Sequence, residues 1–513
     1  TKVNEIKKKQ LEQKDRSTTE TIRMKRGNEF EEKIYKKLIK LYPNQTKIKR
    51  DDNKFENTKL AISKGYDLIH KAHFSYKEWV GEIDFLIRDK SEKTKNGKWK
   101  YEVYDTKLSS MPRTDHITQI SLYSEWLATQ QDNELPNFMY LILNNKAEQT
   151  KTNILKITEE VKQYKPQNYH LYFKNNNTNY IKFLENDKKQ VEPERCSFCA
   201  MCEWTDVCDD IWLKKDHLNQ IAKIRKDQIS KIKKHGIKTL TDFAKLKKTE
   251  KIIDLNSRIF QKHLDQAKLL LDYKKTEKPQ FKVLPLEPDR GFNKMPKPNP
   301  HDLFFDIEGL DKILNSEETE QDKQSLEYLF GVYDHNNKKE PYKYFWAHNQ
   351  DEEKEKFIEL LKFLSKHLEK YPDSHIYHYN HYEKTALTKL MTKHDTQLEQ
   401  VNDLLRYNKL VDLHAVVNQG IQVSEREYSL KNLEKFYQYK RKGEIKKAHE
   451  STDKYLDWIE TAEEKLLEDI KLYNREDCES TYYLREWLAE IKPKDSIYAI
   501  KQEPEIREKN WEK

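Results

Sequence analysis

Asp84, Asp105 and Lys107 carry the first chemistry legible in this chain. They stand in Gly81-Glu-Ile-Asp84-Phe-Leu-Ile and Tyr101-Glu-Val-Tyr-Asp105-Thr-Lys107, with Gln119 and Tyr123 downstream in Gln119-Ile-Ser-Leu-Tyr123. Both carboxylate segments are rich in branched and aromatic residues and read as β-strands joined by a charged loop, Arg88 to Lys98. Residues two apart on a strand share a face, so Asp105 and Lys107 point the same way. Cutting a phosphodiester needs carboxylates to hold a divalent cation and a positive charge to stabilise developing negative charge, and this spacing supplies both. Gln119 and Tyr123, four apart, share a helix face from which they can touch a substrate backbone or orient the lysine. Glu31, in Arg26-Gly-Asn-Glu-Phe-Glu31, is a further candidate metal ligand. The plainer alternatives are a cross-strand ion pair for Asp84, Asp105 and Lys107 and an exposed helix carboxylate for Glu31.

A second acidic constellation lies in Leu303-Phe-Phe-Asp306-Ile-Glu308-Gly309, an apolar strand with Asp306 and Glu308 on one face. Two acids so placed repel unless something positive sits between them, and Mg²⁺ or Mn²⁺ is the obvious candidate. The plainer reading is a capping or ion-pair role. Tyr473 and Asp477, in Tyr473-Asn-Arg-Glu-Asp477, are one helical turn apart, so the tyrosine can orient water beside a metal-bound aspartate.

Four of the five cysteines fall in Cys196-x2-Cys199-x2-Cys202-x5-Cys208. In a reducing compartment such a cluster reads as a metal site more readily than as disulfides, and four thiolates suit either a [4Fe-4S] cluster or Zn²⁺. Its expected role is to staple the end of the first catalytic domain.

These groups need elements to position them. The expected order is a charged helical arm over residues 1–20, an amphipathic helix from Met24 to Leu41, strands near Leu60–Phe74, Glu82–Arg88 and Lys100–Lys107, a helix Ile117–Thr129, and a strand near Phe138–Leu143. The expected domains are the arm (1–20), an α/β domain ending in the cysteine cluster (21–211), a helical connector (212–275), a proline-rich linker (276–300) and a second α/β domain (301–500). The linker is inferred from six of the fifteen prolines falling between Pro279 and Pro300. Basic residues dominate from Lys214 to Lys251, which suits contact with a phosphate backbone or, equally, a solvated helix face. Net charge is only +8 on 513 residues, so the mean charge decides little. Few glycines with abundant Lys and Asn point to an AT-rich genome. No run approaches eighteen apolar residues and the first sixteen residues lack an apolar core, so no membrane span or secretion signal is expected and the default location is cytoplasmic.

The first constellation resembles the RecB-type branch of the PD-(D/E)xK nucleases, restriction-endonuclease-like in fold. That resemblance implies metal ligands at Asp84 and Asp105, a catalytic Lys107 and a helical Gln119/Tyr123 pair, with Glu31 where many relatives use a metal-binding histidine. Cys199-x2-Cys202-x5-Cys208 is similar to the cysteine triad of iron–sulfur nucleases. Their fourth cysteine lies far upstream, a place that Cys196 would have to fill. The segments around Asp306, Tyr379-Asn-His-Tyr-Glu383, Leu410-Val-Asp412 and Tyr473 to Asp477 resemble the exonuclease motifs of the DEDD superfamily, whose fold is RNase H-like. There Glu383 stands in place of an aspartate ligand, and Asp412 is a substitute ligand or supporting acid.

With Arg290-Gly291, Leu326-Glu-Tyr-Leu-Phe-Gly331, Tyr428-Ser-Leu-Lys431 and Cys478 in the same order, residues 24–490 resemble a bacterial RecB-like putative nuclease family with a fused RNase H-like domain. Some members continue into a superfamily 1 helicase. No G-x4-G-K-[ST] loop is present here, so any such motor is a separate partner or a further extension. Within residues 218–244, His235-Gly-Ile-Lys-Thr-Leu-Thr-Asp-Phe-Ala244 resembles small helical DNA-contacting modules, with a plain packing helix as the alternative.

The expected function is a two-site Mg²⁺- or Mn²⁺-dependent nuclease acting on single-stranded or free-ended DNA, or on RNA, in repair, recombination or foreign-DNA defence. The alternative is a catalytically decayed nucleic-acid-binding scaffold that recruits a helicase or an integration complex. A third reading, a cysteine-based redox sensor, has nothing else in the chain behind it.

Overall fold

The computed structural model describes residues 18–146, 155, 157–185, 192–196, 199, 202, 204–310, 325–445 and 448–499. The expected N-terminal arm therefore lies outside the described residues up to position 17. By backbone contacts the chain separates into two compact units, residues 20–191 and residues 1–19 with 192–513. Both are mixed α/β, as the sequence leads one to expect.

The first unit is built on a six-stranded sheet. Its strands β1 (Gln45–Lys47), β2 (Leu68–Tyr76), β3 (Trp79–Lys93), β4 (Trp99–Lys107), β5 (Met139–Lys146) and β6 (Glu159–Tyr164) lie side by side in sequence order. β1 pairs with β2 and β4 with β5 in parallel, and the other neighbours are antiparallel. Helix α1 (Thr18–Leu41) buries Phe30, Ile34 and Leu38, which recur at helical spacing, and these join a core with Leu68, Phe85 and Ile142. Helix α3 (Thr114–Gln130) lays Ile120, Tyr123, Trp126 and Leu127 into a second core with Phe74, Tyr101 and Leu141, and α4 (Pro166–Glu185) packs beside it.

Two expected boundaries differ. Leu60 to Lys64 belong not to a strand but to helix α2 (Lys54–Lys64), whose buried Thr58, Ala61 and Ile62 repeat every three to four residues. That helix stops at Gly65, where the backbone turns left-handed (φ 74) and β2 can begin. Strand β3 also continues five residues beyond Arg88, so most of the expected charged loop is hairpin arm.

The second unit opens on short helices α5 (Thr205–Lys214), α6 (Lys226–Lys234), α7 (Leu240–Ala244) and α8 (Ser257–Thr276), wrapped around Leu218, Ile232, Phe243, Phe260 and Leu264. Residues 276–300 do not run free. β7 (Phe281–Val283) pairs antiparallel with β13 (Ile421–Val423), and Phe292 and Met295 are fully buried against Phe304, Val416 and Ile421. A five-stranded sheet follows in the order β10-β9-β8-β11-β12. It comprises β8 (Leu303–Leu310), β9 (Leu326–Tyr333), β10 (Tyr342–Trp346), β11 (Ile376–His378) and β12 (Leu410–Asp412). β8 is antiparallel to β9 and parallel to β11. The sheet is covered by α9 (Gln350–Lys370), α10 (Tyr382–His394), α11 (Leu398–Arg406) and the long α15 (Glu464–Ile491), with α12 (Leu413–Gly420), α13 (Leu430–Leu433) and α14 (Ala448–Thr461) alongside. Among the described residues no helix is long and apolar enough to cross a membrane.

Candidate active sites

In the first unit the acids converge from three elements. β3 and β4 are registered Phe85 to Tyr104, which sets Asp84 beside Asp105 one position further along. The backbone N–H and hydroxyl of Thr106 both donate to Asp84 Oδ2, the former at 2.7 Å. Burial pushes the Asp84 carboxyl up to about 8, with the charges of Asp105 and Glu31 adding to it. Asp105 is likewise raised by burial, although the neighbouring Lys107 ammonium opposes the shift. Lys107 Nζ also donates to Gln119 Oε1 at 2.9 Å, and the Gln119 amide donates to Tyr123 Oη.

Glu31, on α1, is buried and faces His70 Nε2 at 2.7 Å and the Lys71 ammonium. Burial alone would raise its carboxyl, but the hydrogen bonds from His70 and Lys71 outweigh that and hold it below the usual range. Lys71 sits in β2 with a left-handed backbone (φ 60), a costly conformation for a lysine, and also pairs with Glu82 at 2.8 Å. His70 and Lys71 were not singled out from sequence, because the strand they occupy offered no acid to draw attention to it.

In the second unit one group of acids comes close enough to share an ion. Carboxylate oxygens of Asp306, Glu308 and Asp477 lie within 4.8 Å of one another. Period-two geometry on β8 sets the first pair, and α15 brings Asp477 across to them. Each is braced. Asn474 donates to Asp306 Oδ2 at 2.7 Å, Ser451 donates to Glu308 Oε2 at 2.9 Å, and Arg441 donates to Asp477 Oδ1. Arg441 is held in turn by Glu434 at 2.6 Å.

Burial raises Asp306 well above the usual carboxylate range, and Asp477 and Glu308 raise it further. Glu308 is pushed up to about 8 by burial and then by Asp477. Three carboxylates gathered this closely, two of them raised by burial and mutual charge, are the donor set a hard divalent cation needs, so these residues fit one. Asn474 reaches Asp306 only because Gly331, opposite Asp306 on β9, has no side chain. A Cβ there would stand 1.7 Å from Asn474 Oδ1.

Tyr473 lies one turn before Asp477, and its hydroxyl accepts from Lys431 Nζ at 2.9 Å. The same ammonium is 4.1 Å from the centre of the ring. Burial, then the charges of Asp477 and Glu308, drive the phenol upward, so it stays protonated. Desolvation lowers the Lys431 ammonium against the pull of Asp477.

Glu383 is buried in the first turn of α10 beside His378, with Nδ1 and Oε2 3.2 Å apart. Its charge reaches Asp306, but it does not join the close group. Asp412 is placed differently again. Its Oδ1 accepts from the backbone N–H groups of Asn380, His414 and Ala415, which makes it the N-cap of α12.

Asn474 lies inside the Tyr473–Asp477 motif, and Lys431 inside Tyr428-Ser-Leu-Lys431, so both had a signal in the chain that went unused. Ser451 and Arg441 had none.

Cys196, Cys199, Cys202 and Cys208 are free thiols in one neighbourhood. The Cys196 and Cys199 sulfurs are 4.0 Å apart, and Cys208 is raised by burial and by the charges of Cys202 and Cys199. They group with residues 192–513.

A sequence model of the RNase H superfamily matches residues 303–489, which span the Asp306–Glu308–Asp477 group and the five-stranded sheet. Searches of curated proteins and of solved structures each gave no match. An RNase H-like domain implies nucleic-acid binding and a nuclease-type, phosphodiester-processing function.

Proposed function

We propose that the chain is a divalent-metal-dependent nuclease whose principal site is the Asp306–Glu308–Asp477 group, working as a 3′ to 5′ exonuclease on single-stranded or free-ended DNA. The observation that carries this is the approach of three carboxylates, Glu308 buried and the other two partly so, to within 4.8 Å inside the segment matched to the RNase H superfamily. Those three residues would hold Mg²⁺ or Mn²⁺, with Glu383 behind them. Such an ion supplies an activated water and stabilises charge on the phosphate.

The chain's own groups divide the remaining work. Asn474, Ser451 and Arg441 fix the ligand carboxylates in orientation. Tyr473, kept protonated, positions the attacking water by hydrogen bonding. Lys431 anchors the tyrosine and places a positive charge beside the scissile phosphate.

The first unit is read as a second nuclease site of RecB-like, PD-(D/E)xK type. Asp84, Asp105 and Glu31 are its metal-binding acids, Lys107 is the cation at the transition state, and Gln119 and Tyr123 hold that lysine. What supports this is the Asp84–Asp105 juxtaposition and the chain of hydrogen bonds from Lys107 through Gln119 to Tyr123. The thiol cluster is read as a structural [4Fe-4S] site, with Zn²⁺ as the alternative. Iron and sulfide against zinc content after anaerobic purification decides between them.

A separate observation favours a narrower reading for the first unit alone. Glu31 is already matched by Lys71 and His70 and Asp105 by Lys107, and among the described residues the site's acids form no group as close as the second-site acids. On that reading the first site binds nucleic acid without cutting it, and the chain recruits a helicase or an integration complex in repair, recombination or defence.

Lys107→Ala and Asp306→Asn, each assayed on 5′- and 3′-labelled DNA and RNA strands with Mg²⁺ and Mn²⁺, test both readings. Asp306→Asn should abolish 3′-end degradation. Lys107→Ala should remove a distinct activity if the first site cuts, and only weaken binding if it does not. Degradation at the parental rate by Asp306→Asn protein would overturn the principal assignment.

A further inference from the structure

The second unit holds a cavity of about 910 Å³ whose residues are used by neither carboxylate site. Its wall is formed by the segment leading into the cysteine cluster, the stretch from His217 to Arg225, one face of α6 and the loop Arg426–Tyr428. That volume lies within the range of small-ligand pockets.

Charge on the wall is unevenly matched. Glu427 pairs with Arg195, Glu194 with Lys226 at 2.5 Å, and Glu192 with Lys233 at 2.5 Å, so every lining carboxylate is already engaged by a lining cation. Arg426 and Arg225 are engaged by Asp209 and Asp227. Two cations remain, Lys223 and Lys234, and among the described residues neither has an acid partner.

Lys223 is the informative one. Its backbone is left-handed (φ 58), its ammonium lies 5.1 Å from the centre of the Tyr428 ring, and its hydrogen-bond acceptor is the neutral amide oxygen of Asn418. Burial lowers its affinity for a proton, and Lys262 lowers it further. An exposed ammonium held at the cavity wall by a left-handed backbone, with only a neutral amide and a ring against it, carries no counter-charge. An anion in the cavity would supply that counter-charge. Lys234 adds an unmatched positive charge from the last turn of α6, next to Lys233, which Glu192 already engages.

We propose that this cavity is a non-catalytic site for a nucleotide phosphate, either that of a nucleic-acid strand or that of a free nucleotide. A strand is the natural source in a chain with an RNase H-like domain. The cavity shares no lining residue with the carboxylate groups, so its occupancy can be measured with catalysis switched off.

The test is fluorescence anisotropy of a labelled single-stranded oligonucleotide with the full chain in EDTA, over a series of salt concentrations. The probes are wild type, the double variant Lys223→Asn with Lys234→Gln, and a charge-retaining Lys223→Arg. Asparagine tolerates the left-handed backbone, so the double variant should fold, and an unchanged melting temperature confirms it.

In the double variant affinity should fall about tenfold at low salt. The slope of log affinity against log salt should flatten by roughly 1.4, at ~0.7 per phosphate contact on a single strand. Lys223→Arg should keep most of the binding. If strand binding is unchanged but wild type alone binds a labelled mononucleotide, the phosphate comes from a free nucleotide. If strand and mononucleotide bind wild type and double variant equally, with equal slopes, the proposal is wrong. Because no metal is present, that failure would leave the nuclease assignment untouched, just as loss of cleavage in Asp306→Asn protein would leave this one.

Discussion

Substituting Glu308 by glutamine should make the metal-free protein more stable at alkaline pH, although it deletes a proposed ligand. The Glu308 carboxyl is pushed from the usual 4.5 up to about 8 by burial and by Asp477. A group whose folded value lies above its unfolded one stabilises the fold below about 4.5. It loses that contribution as the pH climbs through about 8. At ~1.4 kcal/mol per pH interval this amounts to about 5 kcal/mol between the two limits.

Glutamine cannot ionise and still accepts from Ser451, so it should remove most of that loss. The assay is urea unfolding in EDTA from pH 5 to 9, followed by tryptophan fluorescence. The two proteins should be similar near pH 5, and the variant should be ahead by a few kcal/mol at pH 9. Mn²⁺ should then raise wild type sharply at pH 8 and the variant little. A variant less stable than wild type at pH 9 in EDTA, or equal stabilisation of both by Mn²⁺, would refute the argument that these carboxylates are held together at a cost which a cation relieves.

Gly331→Ala should destabilise by several kcal/mol, because the added Cβ falls 1.7 Å from Asn474 Oδ1. Pairing it with Asn474→Ala should recover much of the loss, which a denaturant double-mutant cycle would read directly. Arg441→Ala leaves Asp477 and Glu434 facing each other with no cation between them, and should cost about 3–5 kcal/mol in EDTA but markedly less with Mn²⁺, as midpoint shifts would show. Gln119→Ala frees Lys107 from its acceptor while keeping Asp105 beside it. If the first site cuts, its kcat should fall about tenfold or more with KM little changed, and an unaltered kcat would remove Gln119 from the positioning role.

What the sequence made legible was governed by local periodicity. Asp306 and Glu308 share a strand face by a two-residue rule, and Tyr473 and Asp477 share a helix face by a four-residue rule, so both pairs could be read before any coordinates. Their meeting depends on β8 packing against α15, a contact 168 residues apart in sequence at Asp306 and Asn474. Motif order suggested that meeting, but no local rule imposes it. Arg441 was invisible for the same reason, since it reaches Asp477 from an irregular stretch whose sequence looks like ordinary charged surface. Asp412 was read as an acid first, and only the backbone of α12 shows that its oxygen is occupied by N–H donors. The strand expected from Leu60 failed because Leu60 to Lys64 are compatible with either element, and the left-handed turn at Gly65 decides between them.

The seating of Phe292 and Met295 bears on how this protein can be divided. A fragment cut to the matched interval, residues 303–489, would leave behind both of those side chains and the strand that covers Ile421–Val423. It would expose an oily socket next to an unprotected β-edge, a combination that invites chains to clump. A fragment begun upstream of Phe281 would carry its own plug.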